Sequence, residues 1–221
     1  MSARKKNFAN GEFYHIYNRG VDKRIIFTDK YDMQRFFQSI IEFNTVNPIG
    51  SLYANSFRGL SGETPKSEEK LANIVAYCLN QNHFHFILEQ VTDGGISEFM
   101  KRLGGGYTSY FNNKHKRTGS LFQGVFKAVY VDSNEYLLHV SAYVNLNDRA
   151  HQLSGETPKL VRSRSSWEEY MNKGVEGICE KEIILGQFGN KDEYKEFALS
   201  SLESIIKRKE ELKGIEDFLL E

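Results

Sequence analysis

Cysteine is almost missing from this chain of 221 residues, which has only Cys78 and Cys179. Two thiols a hundred residues apart form neither a disulfide framework nor the spacing of a metal knuckle, so both are read as reduced. Long apolar runs are missing too, and no stretch approaches the roughly 20 residues that a membrane-spanning helix needs. The opening "MSARKKNFANGEF" is basic but lacks the apolar stretch of a secretory leader, which leads us to expect a cytoplasmic protein. Net charge is absent as well, with 29 Lys+Arg against 29 Asp+Glu. The balance is uneven along the chain. Residues 1–150 hold 18 basic and 14 acidic side chains, and residues 151–221 hold 11 and 15, a split that permits an anionic ligand on the first part without demanding one.

What is present fits an ordinary globular protein, with 40% hydrophobic and 26% charged residues. The length suits one core with an appendage, and we expect a unit over 1–150 with a helical extension over 151–221 belonging to it. "FYHIYNRG" (13–20) alternates apolar and polar residues and stops at a glycine, the pattern of a strand. Met33, Phe36, Phe37, Ile40, Ile41 and Phe43 recur at helical spacing over 29–46. "LANIVAYCLN" and "HFHFILEQ" read as a hairpin around Gln81 and Asn82. A helix is expected over 97–113 despite its glycine run, a strand over 126–131, and a further helix to about residue 148 with Asp132 as its cap and Glu135 reaching back. The tail from 191 to 221 pairs Lys and Glu at helical spacing. This order predicts an α+β fold of ferredoxin-like (RRM-like) kind, an antiparallel sheet with helices packed on one face and a helical C-terminal extension. The segment "LSGETPK" occurs at 60–66 and again at 153–159, and both copies read as loops.

"NHFHFILEQ" (82–90) holds the first chemical signal. On a strand, His83 and His85 share one face while Phe84, Phe86 and Leu88 take the other. Two imidazoles side by side fit a pair of solvent-facing side chains or half of a metal site. In "HVSAYVNLN" (139–147), His139, Tyr143 and Asn147 recur every four residues and so share a helical face. Leu137, Val140 and Val144 hold a neighbouring face against the core. Tyr143 reads either as a half-buried aromatic or as a reactive phenol one turn from the amide oxygen of Asn147, which can ligate a cation.

"YCLNQNHFHFILEQ" and "GYTSYFNNKHKRTGSLFQGVFKAVYVDSNEYLLHVSAYVNLN" together resemble the REP-associated tyrosine transposases and the wider single-tyrosine transposase family of the HUH endonuclease superfamily. The resemblance starts at "FYHIYNRGVDKRIIF" and runs through "SSWEEY" to "ILGQFGNKDEYKEF", covering most of residues 12–200. It implies that residues 1–150 form a catalytic domain, that His83 and His85 bind a metal with Asn147 completing the site, and that Tyr143 is the nucleophile. The implied reaction is cleavage of single-stranded DNA, leaving a 5′ phosphate on the tyrosine and a free 3′ hydroxyl, with rejoining by the reverse step. The implied partner is single-stranded DNA bearing a hairpin or inverted repeat, and the implied protein is a monomer or a homodimer with exchanged helices. Two departures stand out: "NDRA" (147–150) replaces the usual Asn-Pro-Val-Arg, and Val125 replaces an Arg.

A phenol titrates near 10, so Tyr143 needs a cation or a base beside it to attack. Two imidazoles alone suit zinc or manganese, whereas the resemblance points to magnesium, with manganese as the alternative. For DNA contacts the residues nearest the motifs are Arg19, Lys23, Arg24, Lys114, Lys116, Arg117, Phe122 and Lys127, with Tyr14, Tyr17 and Phe126 among them. Basic groups interleaved with aromatics suit backbone contacts and base stacking on a single strand. Two other readings are a binding module that keeps the fold without the chemistry, and a replication or relaxation nuclease of the same superfamily.

Overall fold

The computed structural model describes residues 7–49, 69–149, 163–172 and 177–218. Both copies of "LSGETPK" lie outside these. Among the described residues, no helix is long and apolar enough to cross a membrane.

Strand β1 (Phe13–Arg19) leads through a tight turn to helix α1 (Lys30–Phe43). The hairpin β2 (Ala72–Asn80) and β3 (His83–Gln90) follows, then helix α2 (Gly95–Lys114), strand β4 (Lys127–Val131) and helix α3 (Asn134–Asn145). The C-terminal part supplies the short strand β5 (Arg164–Ser165) and helices α4 (Trp167–Met171), α5 (Glu182–Leu185) and α6 (Lys191–Phe218). The strands form one sheet in the order β4-β1-β3-β2-β5, with every neighbouring pair antiparallel. The α+β antiparallel fold read from the sequence is the one observed.

One layer forms as expected. Asp29 caps α1 by accepting from the backbone N–H of Tyr31 and Asp32, and the helix buries Met33, Phe36, Ile40 and Phe43 against Phe84, Phe86 and Leu88. Helix α2 lies beside it. The glycine run in α2 serves this packing at one position, because a Cβ on Gly106 would sit 2.7 Å from the Phe43 ring, while Gly104 and Gly105 face open space.

The helices do not all keep to that face. Leu137, Val140, Ala142 and Val144 of α3 form an apolar stripe that must be buried, and the reverse of the sheet offers Val75, Ala76, Cys78 and Ile87 to cover it. Helix α3 therefore lies across β2 and β3 on the second face, where α4 and α6 pack over it. A bulge in β2 helps: the register shifts between Ile74 and Ala76, so Val75 and Ala76 both face the second layer. The cap of α3 is Ser133, not Asp132, since the Ser133 hydroxyl accepts from the Tyr136 N–H at 3.2 Å.

The C-terminal part is bonded into the sheet. Ser165 and Arg164 pair with Cys78 and Leu79, and Tyr170 donates its hydroxyl to Val75 O at 2.8 Å, within the bulge. The buried carboxylate of Glu169 accepts from Tyr77 Oη and from the N–H groups of Ile178 and Cys179.

Candidate active site

Pairing brings the chemically active side chains together. Opposed residues of antiparallel strands share a face, so Arg19 and Asn80 flank His83, and Tyr17 and Cys78 flank His85. That face looks toward α3. The Tyr143 ring stands edge-on to His85 at 5.5 Å between centroids and 81° between planes, and edge-on to His15 of β1 at 6.0 Å.

His83 is held at both nitrogens. Its Nδ1 lies 2.6 Å from Asn82 Oδ1, an acceptor, which places the ring proton on Nδ1 and the lone pair on Nε2. Asn80 Nδ2 donates to that Nε2 at 3.0 Å and to Asn147 Oδ1 at 2.8 Å, and the Nε2 and Oδ1 atoms are 3.3 Å apart. An amide NH2 thus spans an imidazole lone pair and an amide oxygen. Asn147 is fully buried just beyond the end of α3, and its Nδ2 makes no hydrogen bond of good geometry.

His85 meets a third histidine. Its Nδ1 lies 2.9 Å from His15 Nε2, and the rings stack 5.1 Å apart. Burial pushes His15 down from 6.5 to about 4, which keeps it neutral. Burial also raises the Tyr143 phenol above its usual 10, while the Asn147 amide beside it acts the other way. Cys78, under the site, is fully buried, and burial raises its thiol well above the usual range, which leaves it unreactive.

His139, one turn before Tyr143, faces α6, with Nδ1 3.1 Å from Ser201 Oγ and its ring 5.1 Å from Phe197. It helps line a cleft of about 730 Å³ between α3 and α6, onto which Tyr143 and His15 also open. A second cleft, about 920 Å³, lies over Gly104, Gly105 and Phe126 near α2, away from the metal-binding candidates.

The basic residues divide. Arg19 is exposed at the end of β1, and Lys23 and Arg24 are exposed on the following turn, which is bonded to the β2–β3 connection, with Gly20 N donating to Asn82 O at 2.8 Å and Asn82 Nδ2 to Lys23 O at 3.2 Å. The turn needs its glycine, since a Cβ on Gly20 would fall 2.2 Å from Arg24 O. Lys116 and Lys127 are exposed, the latter 6.0 Å from the Tyr17 ring centre, and Arg117 braces its own loop through Asn112 and Ser120. Two of the expected DNA contacts are already engaged within the protein. Lys114 Nζ is held by Asp29 at 2.7 Å and buried Asp32 at 2.6 Å, so its charge is already neutralised. Phe122 is 6% exposed and packs in the first core against Phe84 at 5.7 Å, which leaves no ring face for a base.

Residues 63–147 match the family model described as "Transposase IS200 like". The resemblance read from the sequence is borne out over this segment, which contains both histidines of β3, Tyr143 and Asn147. No curated protein matches the chain. Among solved structures it is similar to one described as "Structure of the REP associates tyrosine transposase bound to a REP hairpin", at 14% identity and a TM-score of 0.48, covering 80% of this chain and 90% of that one. At that identity, residue roles do not pass from one chain to the other.

His15, Asn80 and Asn82 escaped the sequence reading. His15 and Asn80 are defined by partners on other elements and Asn82 by its turn next to His83, and only the polar positions in "FYHIY" and "CLNQNH" hinted at them.

Proposed function

We propose that this protein cleaves and rejoins single-stranded DNA, with Tyr143 as the nucleophile and a divalent cation bound by His83, His85 and Asn147. The observation that carries the reading is the placement of the Tyr143 ring against His85, with Asn147 Oδ1 3.3 Å from His83 Nε2. Among the described residues no group of three His, Cys, Asp or Glu side chains is placed to hold a metal ion, so the proposed site takes its third donor from the amide oxygen. The donors fit the task. Two imidazoles and an amide are all neutral, so a bound cation keeps its full charge for a phosphate, and Asn80 already places a partial positive charge between His83 Nε2 and Asn147 Oδ1. Magnesium is the proposed ion, with manganese as its substitute. When bound, it polarises a non-bridging phosphate oxygen.

The chain's residues supply the rest. Tyr143 Oη forms the bond to phosphorus, the P–O3′ bond breaks, the phenol gives up its proton and the leaving O3′ gains one. The 5′ phosphate stays on the tyrosine, so its bond energy is kept for the reverse step. Arg19, beside His83 on the same sheet face, and Lys23 and Arg24 on the adjoining turn lie where a strand would approach. The strand is proposed to carry a hairpin or inverted repeat. Tyr143 lies over the histidines of its own chain, which supports a self-contained site.

The test is incubation of the protein with end-labelled single strands carrying candidate hairpins and magnesium, followed by denaturing electrophoresis. A covalent adduct is expected for the native chain and none for Tyr143→Phe, which should melt at nearly the same temperature. An adduct with Tyr143→Phe would overturn the nucleophile assignment. Binding without an adduct from any strand would leave a DNA-binding module.

A further inference from the structure

An imidazole offers a metal one of two nitrogens, and what holds the other decides which. For His83, Asn82 holds Nδ1. For His85 the same atom, Nδ1, faces Nε2 of His15 at 2.9 Å. His15 is 8% exposed and enclosed by aromatic rings, with His85 at 5.1 Å, Tyr17 at 5.2 Å and Tyr143 at 6.0 Å. An aliphatic side chain would fill that space without the cost of burying a polar ring, so the imidazole's hydrogen bond is what distinguishes it.

Where two imidazoles meet nitrogen to nitrogen at 2.9 Å, one nitrogen donates the proton and the other accepts it. If His15 Nε2 carries it, His85 Nδ1 spends its lone pair as the acceptor and the His85 proton sits on Nε2, leaving nothing for a cation. If His85 Nδ1 carries it, the lone pair stays on Nε2. We propose that His15 is a positioning residue for the metal site: it accepts from His85 Nδ1–H and so fixes the tautomer of His85 that ligates through Nε2, as Asn82 does for His83. This rests on the reading that His83, His85 and Asn147 bind a divalent cation. His15 itself touches neither metal nor DNA.

The test uses Mn²⁺ as the probe on the full chain without DNA, following the electron paramagnetic resonance signal of the unbound aquo ion. His15→Phe keeps a ring of similar bulk and removes the acceptor; it should weaken Mn²⁺ binding by about 10- to 100-fold. His15→Gln returns an amide oxygen to roughly the reach of Nε2 and should restore most of the loss. Melting curves show whether each variant is folded. Folded His15→Phe that binds Mn²⁺ as tightly as the native chain overturns the proposal. A second measurement needs no variant: long-range ¹H–¹⁵N correlation on ¹⁵N-histidine-labelled, metal-free protein should show His85 protonated at Nδ1, and protonation at Nε2 overturns it. If the native chain binds no more Mn²⁺ than His83→Ala, the metal reading itself fails and takes the proposal with it. If the native chain binds and only the His15 results disagree, the metal reading stands alone.

Discussion

Lys23 and Arg24 stand exposed on a turn hydrogen-bonded to the one that carries Asn82, so charge there lies next to the sheet face of His83. Alanine at either position should weaken binding to every single-stranded sequence alike. It should also lower the slope of log affinity against log salt by about 0.7 per charge removed. Phe122→Ala should do the opposite: it costs about 3–4 kcal/mol in a denaturant titration by emptying space beside Phe84, and leaves the affinity of the folded fraction unchanged. An unchanged salt slope for the basic variants would remove the turn from the DNA path. That His83 and His85 share one strand face was legible because the strand period places side chains by local spacing, whereas the roles given to them and to Tyr143 came only with the family resemblance. His15 was not legible, since it reaches His85 only through the pairing of β1 with β3, which no single strand states. The burial of Phe122 was hidden for the same reason, its basic neighbours being local and its partners Phe84 and Tyr107 distant in sequence.

The helices of the first layer show where local rules hold and where tertiary contacts override them. The glycines of α2 lower its intrinsic helicity, yet it runs unbroken from Gly95 to Lys114. Gly106→Ala should destabilise the protein because its Cβ would strike the Phe43 ring, whereas Gly105→Ala, in open space, should stabilise it by about 0.5–1 kcal/mol. Equal effects from the two, read by thermal melting, would mean that α1 and α2 do not approach as described. At the start of α1, burial pushes the Asp32 carboxyl up, but hydrogen bonds from Lys114 and Thr28 outweigh it and hold it below 3.8. A carboxyl depressed by folding stabilises above its unfolded pKa, and that stability is lost as pH falls through the folded value. The urea midpoint should therefore fall on acidification below about pH 4, and Asp32→Asn should lower it at neutral pH and flatten the acid limb. The sequence placed these elements to within a few residues, but not the face taken by α3. Its stripe of Leu137, Val140 and Val144 shows that burial is required without showing against which side of the sheet.

Over the whole molecule, the second core is shared between the sheet and the C-terminal part. Val140 and Val144 of α3 pack in the same cluster as Trp167, Tyr170, Tyr194 and Leu202. A chain ending at residue 150 would expose that cluster and should fail to melt cooperatively. A sharp transition in the shortened chain would make residues 151–221 a separable addition. The bulge at Val75 has a bearing on how such a chain tolerates change in length. Strand pairing on either side of it is independent: Ile74 meets Leu88 before it, and Cys78 and Asn80 meet His85 and His83 after it. One residue could be lost there without moving Asn80 relative to His83, and the casualty would be the carbonyl that receives Tyr170. In evolutionary terms, β2 contains a point where an insertion or deletion changes how the tail is attached and leaves the face of His83 and His85 in frame.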